Sequence, residues 1–154
     1  MDLGATPAPF PHFWTRSFGS GHVLMGTRAD WQAHLKLAVD ELGLRGVRMH
    51  GVLDDDMSVV TAKGLYSWYN IDRVYDFMLS LGVRPLVELS FMPKYLANCS
   101  DCPSKDGNPW QCFYAFGDPG SYKGLTQPPQ DYAAWYDLIH ALATHLTERL
   151  AMGG

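Results

Sequence analysis

Apolar residues recur every three or four positions, the spacing of an amphipathic helix, in three stretches of this chain of 154 residues. The first stretch is Thr27–Leu42 and the second is Asn70–Leu81, and a glycine suited to a helix C-terminus follows each of them. The third begins after Pro128-Pro129, where proline is well placed because its missing N–H is not needed in a first turn. Its apolar face carries Tyr132, Trp135, Ile139, Leu142 and Leu146. The spacing therefore predicts three helices.

Short apolar runs between these helices predict the strands of a sheet. Two runs are clear, Gly46–Leu53 and Arg84–Phe91, and a weaker pattern predicts an earlier strand at about Phe13–Gly19. Strands that alternate with helices indicate a parallel sheet. Residues 1–12 are rich in Pro, Ala and Gly and are predicted to form a flexible tail. The long loop at about Pro93–Gln127 is of a kind that is usually functional or disordered.

Polar residues occupy alternate positions in both clear strands. Arg48 and His50 in the first, and Glu88 and Ser90 in the second, share a parity opposite to that of their apolar neighbours. A doubly wound sheet has apolar helices on both faces, whereas a barrel lumen near its catalytic end tolerates such polar positions. Because an unpaired buried charge is costly, we expect Arg48 and Glu88 to face each other. A structural histidine and a helix-capping serine would fit the ends of these strands as well as an active site does.

Three consecutive acids, Asp54, Asp55 and Asp56, follow the first clear strand. Carboxylates on such a loop could bind a divalent ion or the hydroxyl groups of a sugar. A solvated turn has the same composition, and composition alone favours the solvated turn. The spacing of an EF-hand calcium loop is absent. The sequence also contains no P-loop, dinucleotide-binding, zinc-protease or serine-hydrolase motif.

Composition excludes several classes of function. The formal net charge is −4 and no basic patch is visible, so neither nucleic acid nor an anionic membrane is an expected partner. No apolar run approaches the roughly 18 residues of a membrane span, and the N-terminus lacks the features of a signal peptide. Cys99, Cys102 and Cys112 have no evident fourth ligand, so a local disulfide or free thiols are favoured over a zinc site.

Several long blocks of the chain match one family in the order in which that family carries them. The blocks are Pro11–Trp14, Gly19–His22, Arg28–Trp31, Val47–Asp56, Tyr69–Asp72, Arg84–Pro93, Pro128–Tyr132 and Trp135–His145. They resemble glycoside hydrolase family 39, which holds β-xylosidases and α-L-iduronidase. The resemblance extends from about Pro11 to Arg149, and blocks of this length are far more specific than a single motif.

The resemblance implies an α/β fold, namely the N-terminal fragment, about three βα units, of a (β/α)8 TIM barrel. Members of the family are retaining glycosidases that use two glutamates, an acid/base and a nucleophile. The acid/base lies in an Asn-Glu-Pro motif at the end of the fourth strand, and neither glutamate has a counterpart here. Residues 13–154 are therefore expected to be a partial catalytic domain truncated before strand 4. Leu150-Ala151 replaces the family's Tyr-Gly, which fits a truncated or mis-spliced gene model.

The resemblance also implies part of a sugar-binding pocket. His50 matches a histidine at the end of strand two, and His22 matches, less securely, a second pocket histidine near strand one. Asp55 and Asp56 match the acidic pair after strand two, and Glu88 matches the acid of strand three. The expected partner is a carbohydrate, and no cofactor, metal or catalytic residue is expected in this chain. The implied function is an inactive fragment of a β-xylosidase-like glycosidase, with a non-catalytic sugar-binding or interaction module as the alternative.

Overall fold

The regular elements of the protein were assigned in a computed structural model, which describes residues 9–98 and 127–152. In chain order they are β1 (Phe18–His22), α1 (Ala29–Leu42), β2 (Gly46–His50), β3 (Val60–Ala62), β4 (Leu65–Tyr66), α2 (Tyr69–Ser80), β5 (Arg84–Val87) and α3 (Tyr132–Met152). Short 3-10 helices lie at Phe13–Arg16, Val23–Thr27 and Asp55–Met57. Among the described residues, no helix is both long and apolar enough to span a membrane.

Three strands, β1, β2 and β5, form one parallel sheet with β2 in the centre. Phe18 pairs with Val47 and Val47 pairs with Pro85, so the three strands begin at nearly the same level. Helix α1 connects β1 to β2, and the small antiparallel hairpin β3–β4 followed by α2 connects β2 to β5. The predicted parallel pairing of the two clear strands is confirmed. Strand followed by helix, three times over, is the repeating unit of a (β/α)8 barrel.

The hydrophobic core lies between the sheet and the helices. Val47 and Met49 of β2 are buried whereas Arg48 is exposed, as the predicted alternation requires. The helices contribute buried side chains from one face each, among them Leu35, Ile71, Val74, Met78, Leu138 and Leu142. Val87, at the end of β5, and Leu89, beyond it, stay 36% and 49% exposed, and β5 is an edge strand of the sheet in the described part of the chain.

The ends of several elements differ from the predictions. Residues predicted to start the first strand form the 3-10 helix Phe13–Arg16, and that strand begins only at Phe18. Gly46 allows this turn to approach β2, because a Cβ there would lie 2.1 Å from the carbonyl oxygen of Arg16. Gly51, at φ +83°, ends β2 at His50, three residues earlier than predicted. The last sheet strand also stops early, at Val87.

Much of the predicted tail and loop falls outside the described residues. The structure describes the tail at residues 9–12 and the loop at residues 93–98 and 127. Cys99, Cys102 and Cys112 all lie outside the described residues, so a disulfide and free thiols stay open alternatives.

Candidate functional site

Two histidines lie side by side at the C-terminal ends of the parallel strands. His22 is the last residue of β1 and His50 is the last residue of β2, and the two are register partners in the sheet. Their ring centroids are 5.3 Å apart and the rings are almost perpendicular, at 86°. The Phe91 ring lies 5.7 Å from His50, beyond the end of β5. The fold therefore places the His50 imidazole between two other rings at the edge where barrel active sites form.

His22 is linked to the acidic loop that follows β2. Its Nε2 lies 3.0 Å from Oδ2 of Asp54 and 3.7 Å from Oδ2 of Asp56. The other oxygen of Asp54 accepts the backbone N–H of Asp55 at 2.8 Å and so caps the 3-10 helix Asp55–Met57. Burial raises the pKa of the Asp56 carboxyl, and the neighbouring charge of Asp54 adds to the rise, while His22 opposes it.

The acidic loop directs its three carboxylates to different partners. The sequence assigned Asp55 and Asp56 to the pocket, but the carboxylates next to His22 are those of Asp54 and Asp56. Asp55 accepts the backbone N–H of Lys94 at 3.3 Å, on the segment after β5. Sequence reasoning did not single out Asp54, because three consecutive aspartates differ only in the direction that the turn gives to each side chain.

Gly51 carries the backbone directly beneath the His22 ring. A Cβ on Gly51 would lie 2.3 Å from His22 Nε2, so any larger residue would have to displace the imidazole. The N–H of Gly51 donates to the hydroxyl of Ser90 at 3.0 Å, and the N–H of Leu53 donates to the Ser90 carbonyl at 2.7 Å. The loop after β2 is therefore attached both to β1, through His22, and to the end of β5.

Arg48 and Glu88 meet across the polar face of the sheet, as predicted. The guanidinium Nη2 of Arg48 lies 2.5 Å from Oε2 of Glu88, at an angle outside hydrogen-bond geometry. The hydroxyl of Ser90 donates to the other oxygen of Glu88 at 2.9 Å. The side chain of Arg48 is 55% exposed and that of Glu88 is 24% exposed. The pair is only partly buried because the polar face of the sheet is open here.

The site therefore combines hydrogen-bond donors and hydrogen-bond acceptors on one half-buried surface. Its two imidazoles and one guanidinium stand beside three carboxylates, those of Asp54, Asp56 and Glu88. His22 Nε2 and one oxygen each of Asp54 and Asp56 lie within 4.8 Å of one another, which is a spacing that could hold a metal ion. Donors and acceptors that converge in this way also suit a ligand with several hydroxyl groups.

Comparison with protein families gives one match over almost the whole chain. The model of the family described as Glycosyl hydrolases family 39 matches residues 2–153. A β-xylosidase of Caldicellulosiruptor saccharolyticus is 40% identical over 141 residues, which are 89% of this chain and 26% of that protein. A β-xylosidase of Geobacillus stearothermophilus is 33% identical over 147 residues, with 91% and 26% covered. The chain thus spans about a quarter of the length of these curated relatives.

Solved structures give the same match in three dimensions. A GH39 enzyme from Xanthomonas axonopodis pv. citri superposes with a TM-score of 0.70 at 33% identity, over 93% of this chain and 26% of that one. A GH39 β-xylosidase from Caulobacter crescentus gives a TM-score of 0.70 at 32% identity, over 96% of this chain and 30% of that one. The described fold is therefore that of one part of these larger enzymes.

Proposed function

The chain belongs to glycosyl hydrolases family 39, and on this basis we propose that it supplies a substrate-binding part of a retaining, β-xylosidase-like barrel. Two relatives with 40% and 33% identity carry the name β-xylosidase, which supports a xyloside or a related glycoside as the substrate. The three βα units described above correspond to about 26% of each relative. The rest of the active site is proposed to come from further strands of the barrel.

One observation carries the proposal of a sugar site, namely the hydrogen-bonding capacity of His50 that the described residues leave unused. Its ring is half-buried and held between His22 and Phe91. Neither of its ring nitrogens has a hydrogen-bond partner among residues 9–98 and 127–152. A partly buried polar group without a partner is costly, and a sugar hydroxyl could both donate to one nitrogen and accept from the other. Arg48 and Glu88 lie together on the polar face of the sheet and Asp56 lies beside His22, and all three are proposed to contact neighbouring hydroxyl groups.

The carboxylates of this site are proposed to bind and position the sugar, and not to catalyse. Retaining hydrolysis uses two carboxyl groups about 5–5.5 Å apart, on opposite sides of the scissile bond. Asp54 and Asp56 are close enough, but both oxygens of Asp54 already accept hydrogen bonds, from His22 and from the N–H of Asp55. Glu88 is engaged by Arg48 and Ser90. We therefore propose that the catalytic pair lies on other strands and that this chain alone is inactive.

A chimera tests this proposal directly. The chain replaces the matching 141 residues of its 40%-identical relative, and hydrolysis of an aryl β-xyloside is measured for the chimera and for the chain alone. We expect turnover by the chimera and none by the chain. His50→Ala in the chimera should lower kcat/KM without a change in Tm, and His34→Ala, which removes an exposed histidine on α1, should change neither.

Three outcomes would contradict parts of the proposal. Turnover by the chain alone, abolished by mutation of one of its carboxylates, would place the catalytic pair within this chain. Unchanged kcat/KM in the His50→Ala chimera would remove His50 from the pocket. An inactive chimera, together with xylose binding by the chain that depends on His50, would favour the second candidate, a non-catalytic sugar-binding module. The engaged state of Asp54 and Glu88 is the observation that keeps this second candidate in view.

A further inference from the structure

We infer that His22 contacts neither the sugar nor a metal ion, and that it instead positions His50 and the loop at residues 51–57 with its imidazole fixed as the Nε2–H tautomer. The inference deepens the proposed function, and the part that concerns His50 rests on the proposed sugar site. His22 is half-buried at the end of β1, with the acidic loop on one side and His50 on the other.

The hydrogen bonds of His22 determine where its proton lies. The backbone N–H of Leu24 donates to Nδ1 of His22 at 3.3 Å, and only an unprotonated ring nitrogen can accept it. The single proton of the neutral ring is therefore on Nε2, where it points to Oδ2 of Asp54 at 3.0 Å. Both nitrogens are thus used within the protein, which leaves His22 no nitrogen for a sugar hydroxyl. His50, whose nitrogens lack partners among the described residues, differs from it in this respect.

The same tautomer opposes metal binding by the cluster of His22, Asp54 and Asp56. A metal ion would bind the lone pair of Nε2, and the ring proton would then have to move to Nδ1. Histidine ligands normally donate that second N–H to a carbonyl or a carboxylate. Here Nδ1 faces the N–H of Leu24, so two donors would point at each other. The cluster has suitable distances for a metal ion, within 4.8 Å, but its hydrogen bonds are arranged for a histidine that donates from Nε2.

Contacts of His22 with His50, Gly51 and Asp54 fix its surroundings. Its ring makes a T-shaped contact with the ring of His50, which also contacts Phe91. It also lies against the bare Cα of Gly51, at a place where a Cβ would come within 2.3 Å of Nε2. Through Asp54, whose second oxygen caps the next turn, it holds the loop that begins at Gly51. Loss of the Nε2–H donor should therefore release the loop and the His50 ring together.

The experiment measures ring tautomers and ring contacts by NMR in the 15N-labelled chain, in alkaline buffer where imidazoles are neutral. We expect a proton on Nε2 of His22, unchanged by excess Zn²⁺, and a nuclear Overhauser contact between His50 and Phe91. Asp54→Ala removes the acceptor of this proton, so it should shift the signal of the His22 Nε2–H and weaken that contact. The chain offers a matched control, because His145 Nε2 lies 2.7 Å from Asp72 in a second pair of the same kind. Asp72→Ala should change the signals of His145 and leave those of His22 unaltered.

Two substitutions of His22 separate positioning from mere filling of space. His22→Gln keeps an N–H donor near the Nε2 position and should retain the contact between His50 and Phe91, whereas His22→Leu should lose it. The positioning role is wrong if both variants retain the contact. The assigned tautomer is overturned if the proton is found on Nδ1 of His22. It is also overturned if Zn²⁺ displaces the Nε2 proton and Asp54→Ala abolishes this displacement.

These readouts remain informative whatever the fate of the proposed function. If the chain self-associates, magic-angle-spinning NMR of histidine-labelled protein gives the same tautomer and ring contact. None of the measurements requires a sugar. An inactive chimera with the Nε2–H tautomer intact would therefore count against the glycosidase proposal alone, and a wrong tautomer in an active chimera would count against the role of His22 alone.

Discussion

Removal of either partner of the Arg48–Glu88 pair should destabilise the chain, but by unequal amounts. The two side chains differ in exposure, at 55% for Arg48 and 24% for Glu88, and the Oε2 atom of Glu88 is itself buried. Arg48→Met leaves this buried oxygen without its cation. Glu88→Gln leaves a guanidinium that water can solvate, and the new amide oxygen can still accept the hydroxyl of Ser90. The arginine substitution should therefore cost more.

The structure sets the size of each effect. A buried acceptor left without its partner costs about 1–3 kcal/mol, which is the range expected for Arg48→Met. Loss of a partly exposed ion pair costs about 0.2–1 kcal/mol, which is the range expected for Glu88→Gln. Neither should reach the 3–5 kcal/mol that breaking a fully buried pair costs, because the polar face of the sheet is open.

Urea unfolding followed by circular dichroism measures these free energies for both single variants and for the double variant. The double variant completes a cycle that isolates the interaction between the two side chains. Arg45→Met is the matched control, since it removes an exposed arginine that has no ion pair within the described residues. A Glu88→Gln variant that loses as much stability as Arg48→Met, or an Arg48→Met variant indistinguishable from the control, would refute the reasoning from exposure.

Three further predictions concern the loop and the open edge of the sheet. Gly51→Ala should destabilise more than Gly64→Ala in thermal unfolding, because both glycines have φ near +80° but only Gly51 has a ring against it; equal losses would contradict this. Burial raises the folded-state pKa of Asp56 above 3.8, so the free energy of unfolding should fall as pH rises from 3.8 through that pKa. Asp56→Asn should remove this fall. The same pH dependence of unfolding in the variant and in the original chain would argue against it. The chain should self-associate in light-scattering measurements through the apolar groove of about 430 Å3 between α2, α3 and β5, and Val87→Lys should reduce the association.

Much of the architecture could be predicted because it follows from the spacing of residues close together in the sequence. The apolar repeat of three or four positions located α1, α2 and α3, and alternation within the strands placed Arg48 and Glu88 on one face. Such periodicity reflects which face of an element is buried, and the burial of that face drives folding. The long blocks shared with glycoside hydrolase family 39 added the barrel, which three βα units could not have specified alone.

The tertiary structure alone decided how the candidate site is assembled. Strand β2 ends at His50 because Gly51 adopts a positive φ beneath the His22 ring, and the strand pattern showed no such stop. The choice of Asp54 over Asp55 as the partner of His22 depends on the conformation of one turn and on a residue 32 positions away. Periodicity reports which side of an element is buried, but the direction of a side chain in a turn is set by contacts between distant segments. These contacts exist only once β1, β2 and the end of β5 have come together.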